Sequence, residues 1–164
     1  MAFEFAGAHI AIGSILSGCY SIVKGITQLR QSYKFMPLTL TNIALTCNAT
    51  TSTLKVVDSI LNAKSGTIGD SYQALLDQFD GLKTACFLIL SVLEQYVSDL
   101  LDGANSDIPL KAQKTSRRKK WEALYNESEM TQLFGLLQNY NNLLTNLLSC
   151  LEKYNYLYCE CDLD

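Results

Sequence analysis

Apolar residues recur at intervals of three and four along most of this chain, which is the spacing of one face of an α-helix. The predicted helices cover about residues 4–33, 38–62, 68–102 and 127–158. No stretch shows the period-two alternation of a half-buried strand. Pro37 suits the first turn of the second helix, and Gly103 is expected to stop the third. The pattern predicts an all-α fold in a single domain over residues 1–164, an up-and-down bundle of four long helices.

The last predicted helix has the most regular pattern. Asn126 with Glu129 predicts its N-terminal cap. A seam of alternating four- and three-residue steps follows, through Leu133, Leu137, Tyr140, Leu144, Leu147, Leu151, Tyr154 and Tyr158. This seam is expected to be widened into a core-facing stripe by Leu136, Leu143, Cys150 and Leu157. A basic loop and a short extra helix are predicted before it, over about residues 109–125.

The first helix differs from the others because it is apolar nearly all round, with no formal charge from Phe5 to Val23. Such a helix in a small protein is either the central helix of a bundle or a segment that enters a membrane. The candidate residues for either role are Ile10, Ile12, Ile15, Leu16, Ile22 and Val23. Small residues four apart let two helix backbones approach closely. The candidates for that packing are Ser14 with Gly18 and Ser21 with Gly25.

The sequence shows no catalytic signature. It contains no phosphate-binding glycine loop, no His-Glu-x-x-His and no Gly-x-Ser-x-Gly. Acidic pairs such as Asp77 with Asp80 are explained by a solvated helix face. The six cysteines lie in a long-helical chain, unlike the loop-rich secreted domains that disulfides stabilise, so we expect free thiols in a reducing, cytoplasmic setting. We expect no enzyme activity, no cofactor, no metal site and no small-molecule substrate.

Positive charge is concentrated in one segment of an otherwise acidic chain. Six of the thirteen basic residues lie within ten positions: Lys111, Lys114, Arg117, Arg118, Lys119 and Lys120. A solvated loop is one interpretation. Contact with anionic lipid is the functional reading that best fits a chain with an apolar helix, since each basic residue near such a surface contributes about 1 kcal/mol. Nucleic acid is disfavoured as a partner because the rest of the chain is acidic and few aromatic residues lie nearby.

Two segments resemble a known family. The start, FAGAHIAIGSILSGCYSIVKGI, is similar to the Gly/Ala/Ser-rich first helix of fungal N-terminal domains of STAND (NLR-like) proteins. The segment RRKKWEALYNESEMTQLFGLLQNYNNLLTNLLSCL resembles the family's Lys-rich, Trp-bearing approach to a last helix with a leucine seam. This HeLo and HeLo-like family of helical bundles is more distantly similar to the four-helix executioner domain of necroptosis.

The resemblance implies a non-enzymatic signalling or cell-death effector domain, of the kind that acts in heterokaryon incompatibility. Its implied mechanism is self-assembly, recruitment to the plasma membrane and insertion of the N-terminal helix. Its implied partners are further copies of itself or an NLR-type receptor. His9, Cys19 and Tyr20 depart from the pattern, because they make the first helix more polar than a dedicated transmembrane segment. The alternative is a protein-interaction bundle without membrane activity, and a third, weaker reading is a nucleic-acid-binding adaptor.

Overall fold

The computed structural model describes residues 2–33, 36–63, 70–105 and 121–161, with side chains over 12–33, 36–61, 74–75, 77–103 and 121–153. Four long helices account for most of these residues: α1 is Ala2–Ser32, α2 is Leu38–Ala63, α3 is Asp70–Asn105 and α4 is Glu127–Cys161. Residues 121–124 form a further turn of helix just before α4. The described chain contains no strand, so the predicted all-α helical bundle is confirmed.

The helices stand at the corners of a square in the order α1, α2, α4, α3. α1 and α4 each pack against both α2 and α3, and within the described residues neither diagonal pair is in contact. Gly18 and Gly25 of α1 face Leu90 and Val97 of α3 in the same order along the chain, so α1 and α3 run parallel. Consecutive helices α2 and α3 therefore occupy opposite corners, unlike the simplest bundle, in which consecutive helices are neighbours.

Hydrogen bonds between side chains fix the direction of α4 relative to α2. The Thr39 hydroxyl donates to Oε1 of Glu127 at 2.6 Å, and the buried Thr50 hydroxyl donates to Oδ1 of Asn141 at 3.2 Å. The two bonds follow the same order in both helices, so α2 and α4 run parallel.

The α3–α4 pair runs in opposite directions. The Tyr96 hydroxyl accepts a hydrogen bond from the Asn126 backbone N–H at 2.7 Å, while Cys86, nearer the start of α3, interacts with Tyr140, further along α4. With the short link from α1 to α2, the helix directions alternate along the chain as predicted for an up-and-down bundle.

Threonine and serine hydroxyls in α2 find hydrogen-bond partners within the helix itself. Thr46, Ser52 and Thr53 each donate a hydroxyl hydrogen bond to the carbonyl oxygen four residues earlier, at 3.0, 3.1 and 3.2 Å. Such bonds satisfy the hydroxyl without interrupting the helix.

α4 begins with the predicted cap. Oδ1 of Asn126 accepts hydrogen bonds from the backbone N–H groups of Ser128 and Glu129, at 3.1 and 3.3 Å. These groups would otherwise lack a partner at the start of a helix. The spacing of Thr67 and Asp70 also predicts a capping box at the start of α3, but Thr67 lies outside the described residues.

Two expectations for the helices are wrong. Gly103 does not stop α3, which continues to Asn105; instead, a Cβ at Gly103 would lie 2.8 Å from Cδ1 of Leu124, so this glycine lets the segment before α4 approach closely. Leu136, Leu143 and Cys150 do not widen the core stripe of α4, because all three are exposed. The helix is rotated so that the opposite flank, with Phe134 and Leu148, packs against the core. The side chains of Tyr154, Leu157 and Tyr158 lie outside the described set.

Candidate functional site

The apolar residues predicted to make α1 either a central or a membrane-entering helix are directed into the bundle. Ile12, Ile15 and Ile22 are at most 2% exposed, and Leu16 and Val23 pack partly buried against the same core. The side chain of Ile10 lies outside the described residues. In this state α1 is a core helix, and it could enter a membrane only by leaving its contacts with α2 and α3.

The four small residues of α1 divide into two pairs with different positions. Gly18 and Gly25, seven residues apart, lie against α3, whereas Ser14 and Ser21 stand exposed on the edge beside them. A Cβ at Gly18 would meet Cδ1 of Leu90 at 3.4 Å, an ordinary van der Waals distance. A Cβ at Gly25 would overlap the Val97 side chain, so the close approach of α1 to α3 depends on Gly25.

The candidate lipid-contact residues, Lys111, Lys114, Arg117, Arg118, Lys119 and Lys120, lie outside the described residues. The segment that follows them is anchored to one end of the bundle. Trp121 contacts the ring of Tyr33 at 4.5 Å between centroids and stacks on Tyr125 at 5.1 Å. This aromatic contact joins the end of α1 to the start of α4.

Glu127 links that aromatic group to α2. Its carboxylate accepts hydrogen bonds from the hydroxyls of Thr39, at 2.6 Å, and Tyr125, at 2.5 Å. The two bonds, Thr39 first, hold the pKa of Glu127 below its usual 4.5 because they stabilise the ionised carboxylate. Burial raises the pKa of the Tyr125 phenol, and its bond to Glu127 adds to that shift.

A layer of polar sulfur and oxygen atoms crosses the centre of the bundle, with one residue from each helix: Cys19, Cys47, Cys86 and Tyr140. The hydrogen bond between the Cys19 and Cys47 thiols lowers the pKa of Cys19 and raises that of Cys47. Burial raises the pKa of Cys86 to about 12. Burial also raises the pKa of Tyr140, and the neighbouring Cys86 thiol adds to that shift; the hydroxyl has no nitrogen or oxygen partner among the described residues.

The buried thiols of this layer pack within the core of the bundle. All the cysteines with described side chains are free, as expected, and those of the layer are fully buried. A high pKa keeps Cys47 and Cys86 protonated near neutral pH, and a protonated buried thiol packs as a small apolar group. Over the part of the chain that the structure describes, no three His, Cys, Asp or Glu side chains are placed to hold a metal ion.

Apolar residues that the sequence pattern did not predict to be exposed occur on both α3 and α4. Leu88 is 61% exposed on α3 with Val92 beside it, and Leu136 and Leu143 are each 51% exposed on α4. We call these four residues the α3–α4 surface. In the sequence, the only sign of the α4 part is the seven-residue spacing of Leu136, Leu143 and Cys150. That spacing places them on one helix face but does not show whether the face is buried.

A cleft of about 230 Å³ separates the outer edges of α1 and α3. Gly18 and Leu90 form its floor, Phe87 and Glu94 stand along α3, and three serines carry hydroxyls into it: Ser14, Ser17 and Ser91. We call it the α1–α3 cleft. Its residues come from two helices distant in sequence, so periodicity alone could not have brought them together.

One helix among the residues with described side chains is long and apolar enough to cross a membrane. It is Asp77–Gly103 within α3, with a mean hydropathy of 1.4. Core helices also meet this criterion, so a single such helix is weak support for a membrane role. It shows that α3 is unusually apolar on its outer side as well as its inner side.

Comparison of the chain with protein-family models, with curated proteins and with solved structures gave no match.

Proposed function

We propose that this chain is a non-enzymatic assembly domain whose α3–α4 surface packs against the same surface of a second copy. The observation that carries the proposal is the exposure of Leu88, Val92, Leu136 and Leu143 on two neighbouring helices. Single exposed apolar residues are common, whereas several on two helices that pack together make a candidate interaction site.

The register of the two helices brings these residues together. Cys86 and Tyr140 interact across the antiparallel α3–α4 interface. Ile89 follows Cys86 by three residues on α3, and Leu136 precedes Tyr140 by four residues on α4. Because the two helices are antiparallel, Ile89 and Leu136 lie at about the same level. Leu82 and Leu143 are level by the same argument. The partly buried side chains of Leu82 and Ile89 on α3 are therefore level with the exposed leucines of α4.

A second copy is the occupant that best fits the chemistry of this surface. Along α4 the exposed leucines alternate with asparagines, in the order Leu136, Asn139, Leu143 and Asn146, at steps of three and four. A two-fold contact places identical groups opposite each other, which repels like charges but suits amides because each amide both donates and accepts. The same spacing is used by paired helices in coiled coils.

Membrane insertion of α1 in a HeLo-like cell-death mechanism is the second candidate function. It is supported by the uncharged stretch from Phe5 to Val23 and by the basic run that precedes Trp121. Because Ile12, Ile15 and Ile22 are buried, insertion would require a trigger that separates α1 from the bundle. In such a mechanism the chain, a cytoplasmic protein before activation, would first assemble through the α3–α4 surface and bind anionic lipid. Insertion of α1 would follow.

Sedimentation velocity over a range of protein concentrations tests the assembly proposal. The double substitution Leu136→Lys and Leu143→Lys is expected to remove a concentration-dependent dimer, because it places four like charges in a two-fold contact. The matched control, Leu38→Lys with Leu45→Lys, changes two exposed leucines on the outer face of α2 and should leave the dimer intact. Circular dichroism checks that both variants remain folded. A parent protein that stays monomeric throughout would overturn the proposal.

A further inference from the structure

The α1–α3 cleft has a single charged group. Among the residues with described side chains, Glu94 is the only ionisable one that lines the cleft, and it makes no ion pair with another of them. The hydroxyls of Ser17 and Ser91 have no hydrogen bond to any described group, so both oxygens are able to accept one. The lining therefore has a net negative charge and several oxygen acceptors, which favours a cation that carries N–H donors.

Apolar groups continue the cleft away from Glu94. Phe87, 53% exposed, precedes Glu94 by seven residues on α3, a separation of about 10 Å along the helix axis. The side chain of Leu90 lies between them on the floor. A ligand that fills the cleft thus has a polar end at Glu94 and an unbranched apolar body that reaches toward Phe87.

We propose that the α1–α3 cleft binds a primary ammonium group on a short straight alkyl chain. The ammonium pairs with the Glu94 carboxylate and donates hydrogen bonds to Ser17 and Ser91, while the chain covers Leu90 and ends against the Phe87 ring. A primary ammonium has three donors, which matches one carboxylate and two hydroxyls, whereas a quaternary ammonium has none.

The length of the cleft limits the length of the chain. Phe87 and Glu94 are about 10 Å apart along the axis of α3, so a short chain spans the space between them. An ammonium with four or five carbons fits this space. The same chemistry is found in a free alkylamine and in a lysine side chain of a partner protein, so the experiment includes both sources.

The floor of the cleft supplies a variant that blocks it without disturbing the fold. A methyl group at Gly18 would meet Cδ1 of Leu90 at an ordinary 3.4 Å, so Gly18→Ala is expected to fold normally while it fills the space beneath the alkyl chain. Glu94→Gln removes the charge and keeps the shape. Glu152→Gln, at an exposed position of α4, is the matched control for loss of one negative charge.

Two-dimensional NMR titration of the full chain with n-pentylammonium tests the proposal. Saturable shifts of the amides of residues 14–18 and 87–94 are expected, with a dissociation constant on the order of 1 mM for so small a ligand. Glu94→Gln should weaken binding about fivefold, as expected for loss of a partly exposed ion pair, and Gly18→Ala should abolish it. Glu152→Gln should bind like the parent.

Two further titrations complete the test. Nα-acetyl-lysine amide distinguishes the sources: if it binds more tightly than n-pentylammonium, the natural ligand is a lysine of a partner, and if it binds more weakly, it is a free amine. 1-Pentanol reports the contribution of the apolar part alone. Equal binding of 1-pentanol and n-pentylammonium, or unchanged affinity in Glu94→Gln, would overturn the proposal, as would the absence of saturable shifts.

Discussion

Gly25 of α1 lies so close to Val97 of α3 that a β-carbon at position 25 would overlap Cγ1 of the valine. Seven residues earlier, Gly18 faces Leu90 with room for a methyl group. The two parallel helices therefore approach each other most closely at Gly25. Val97 is buried and branched at its β-carbon, so it cannot move aside without leaving its preferred rotamer.

We expect Gly25→Ala to destabilise the bundle. Overpacking of a buried contact costs about 1–3 kcal/mol, which outweighs the roughly 0.5–1 kcal/mol that alanine gains over glycine within a helix. The free energy of unfolding, measured by urea denaturation, should decrease accordingly. Gly18→Ala is the matched control and should be as stable as the parent or slightly more stable. Equal stability of the two variants would show that α1 and α3 are not this close.

The buried Tyr140 hydroxyl has only the Cys86 thiol, a weak hydrogen-bond acceptor, beside it, and this predicts a stabilising substitution. A buried polar group without a partner costs about 1–3 kcal/mol, so Tyr140→Phe should raise the free energy of unfolding by about 1 kcal/mol or more. Tyr125→Phe is the contrasting variant, because it removes a hydrogen bond to Glu127 and should lower stability by about 0.5–1.5 kcal/mol. If Tyr140→Phe is destabilising, the hydroxyl has a partner in solution.

Glu127 predicts part of the acid sensitivity of the fold. Its pKa is lower in the folded chain than its usual 4.5, so its stabilising effect is fully present above that pH. The effect is lost as the pH falls through the folded pKa. Glu127→Gln should therefore show a smaller decrease in melting temperature than the parent between about pH 5 and 3 at low salt. The difference should be modest, because Glu127 is largely exposed and solvent screens its charge.

Thr39→Val gives a second check on the same interaction, because the hydrogen bond from Thr39 contributes most to the lowered pKa of Glu127. It should reduce the acid sensitivity in the same direction. Glu152→Gln, at an exposed position away from this group, should follow the parent. An acid profile of Glu127→Gln that is superimposable on the parent's would mean that the two hydrogen bonds do not persist in solution.

The basic run predicts binding to anionic vesicles. Replacement of Arg117, Arg118, Lys119 and Lys120 by glutamine should weaken co-sedimentation with phosphatidylserine-containing vesicles, at roughly 1 kcal/mol per charge removed. The helical circular dichroism signal should be retained. Unchanged vesicle binding together with loss of binding to DNA or RNA would favour the nucleic-acid adaptor instead.

The sequence predicted the helices well and their environment only in part. The core positions Leu137 and Leu144 followed directly from the heptad spacing, and the Asn126 cap from its side chain. Leu136 and Leu143 each precede one of these core leucines by one residue and repeat at the same spacing. When both helix faces carry leucine, periodicity cannot show which of the two is buried. Which flank is buried is decided by the rotation of α4 against α2 and α3.

The spacing of apolar residues also could not predict which helices pack against each other. The contact of Gly25 with Val97, and the grouping of Cys19, Cys47, Cys86 and Tyr140, follow from α2 and α3 lying on opposite corners of the square. Residues of the α1–α3 cleft are separated by some seventy positions in the chain, which no local rule connects.

The central claim is that α1 remains a core helix while the protein acts through its outer surfaces. Hydrogen exchange of the full chain, followed by mass spectrometry with and without anionic vesicles, tests it most directly. We predict that the amides of residues 12–29 exchange as slowly as those around Cys47 and Leu144, and that vesicles do not change their rate. Faster exchange of residues 12–29 in the presence of vesicles, accompanied by leakage of vesicle contents, would contradict the claim and establish α1 as an inserting helix.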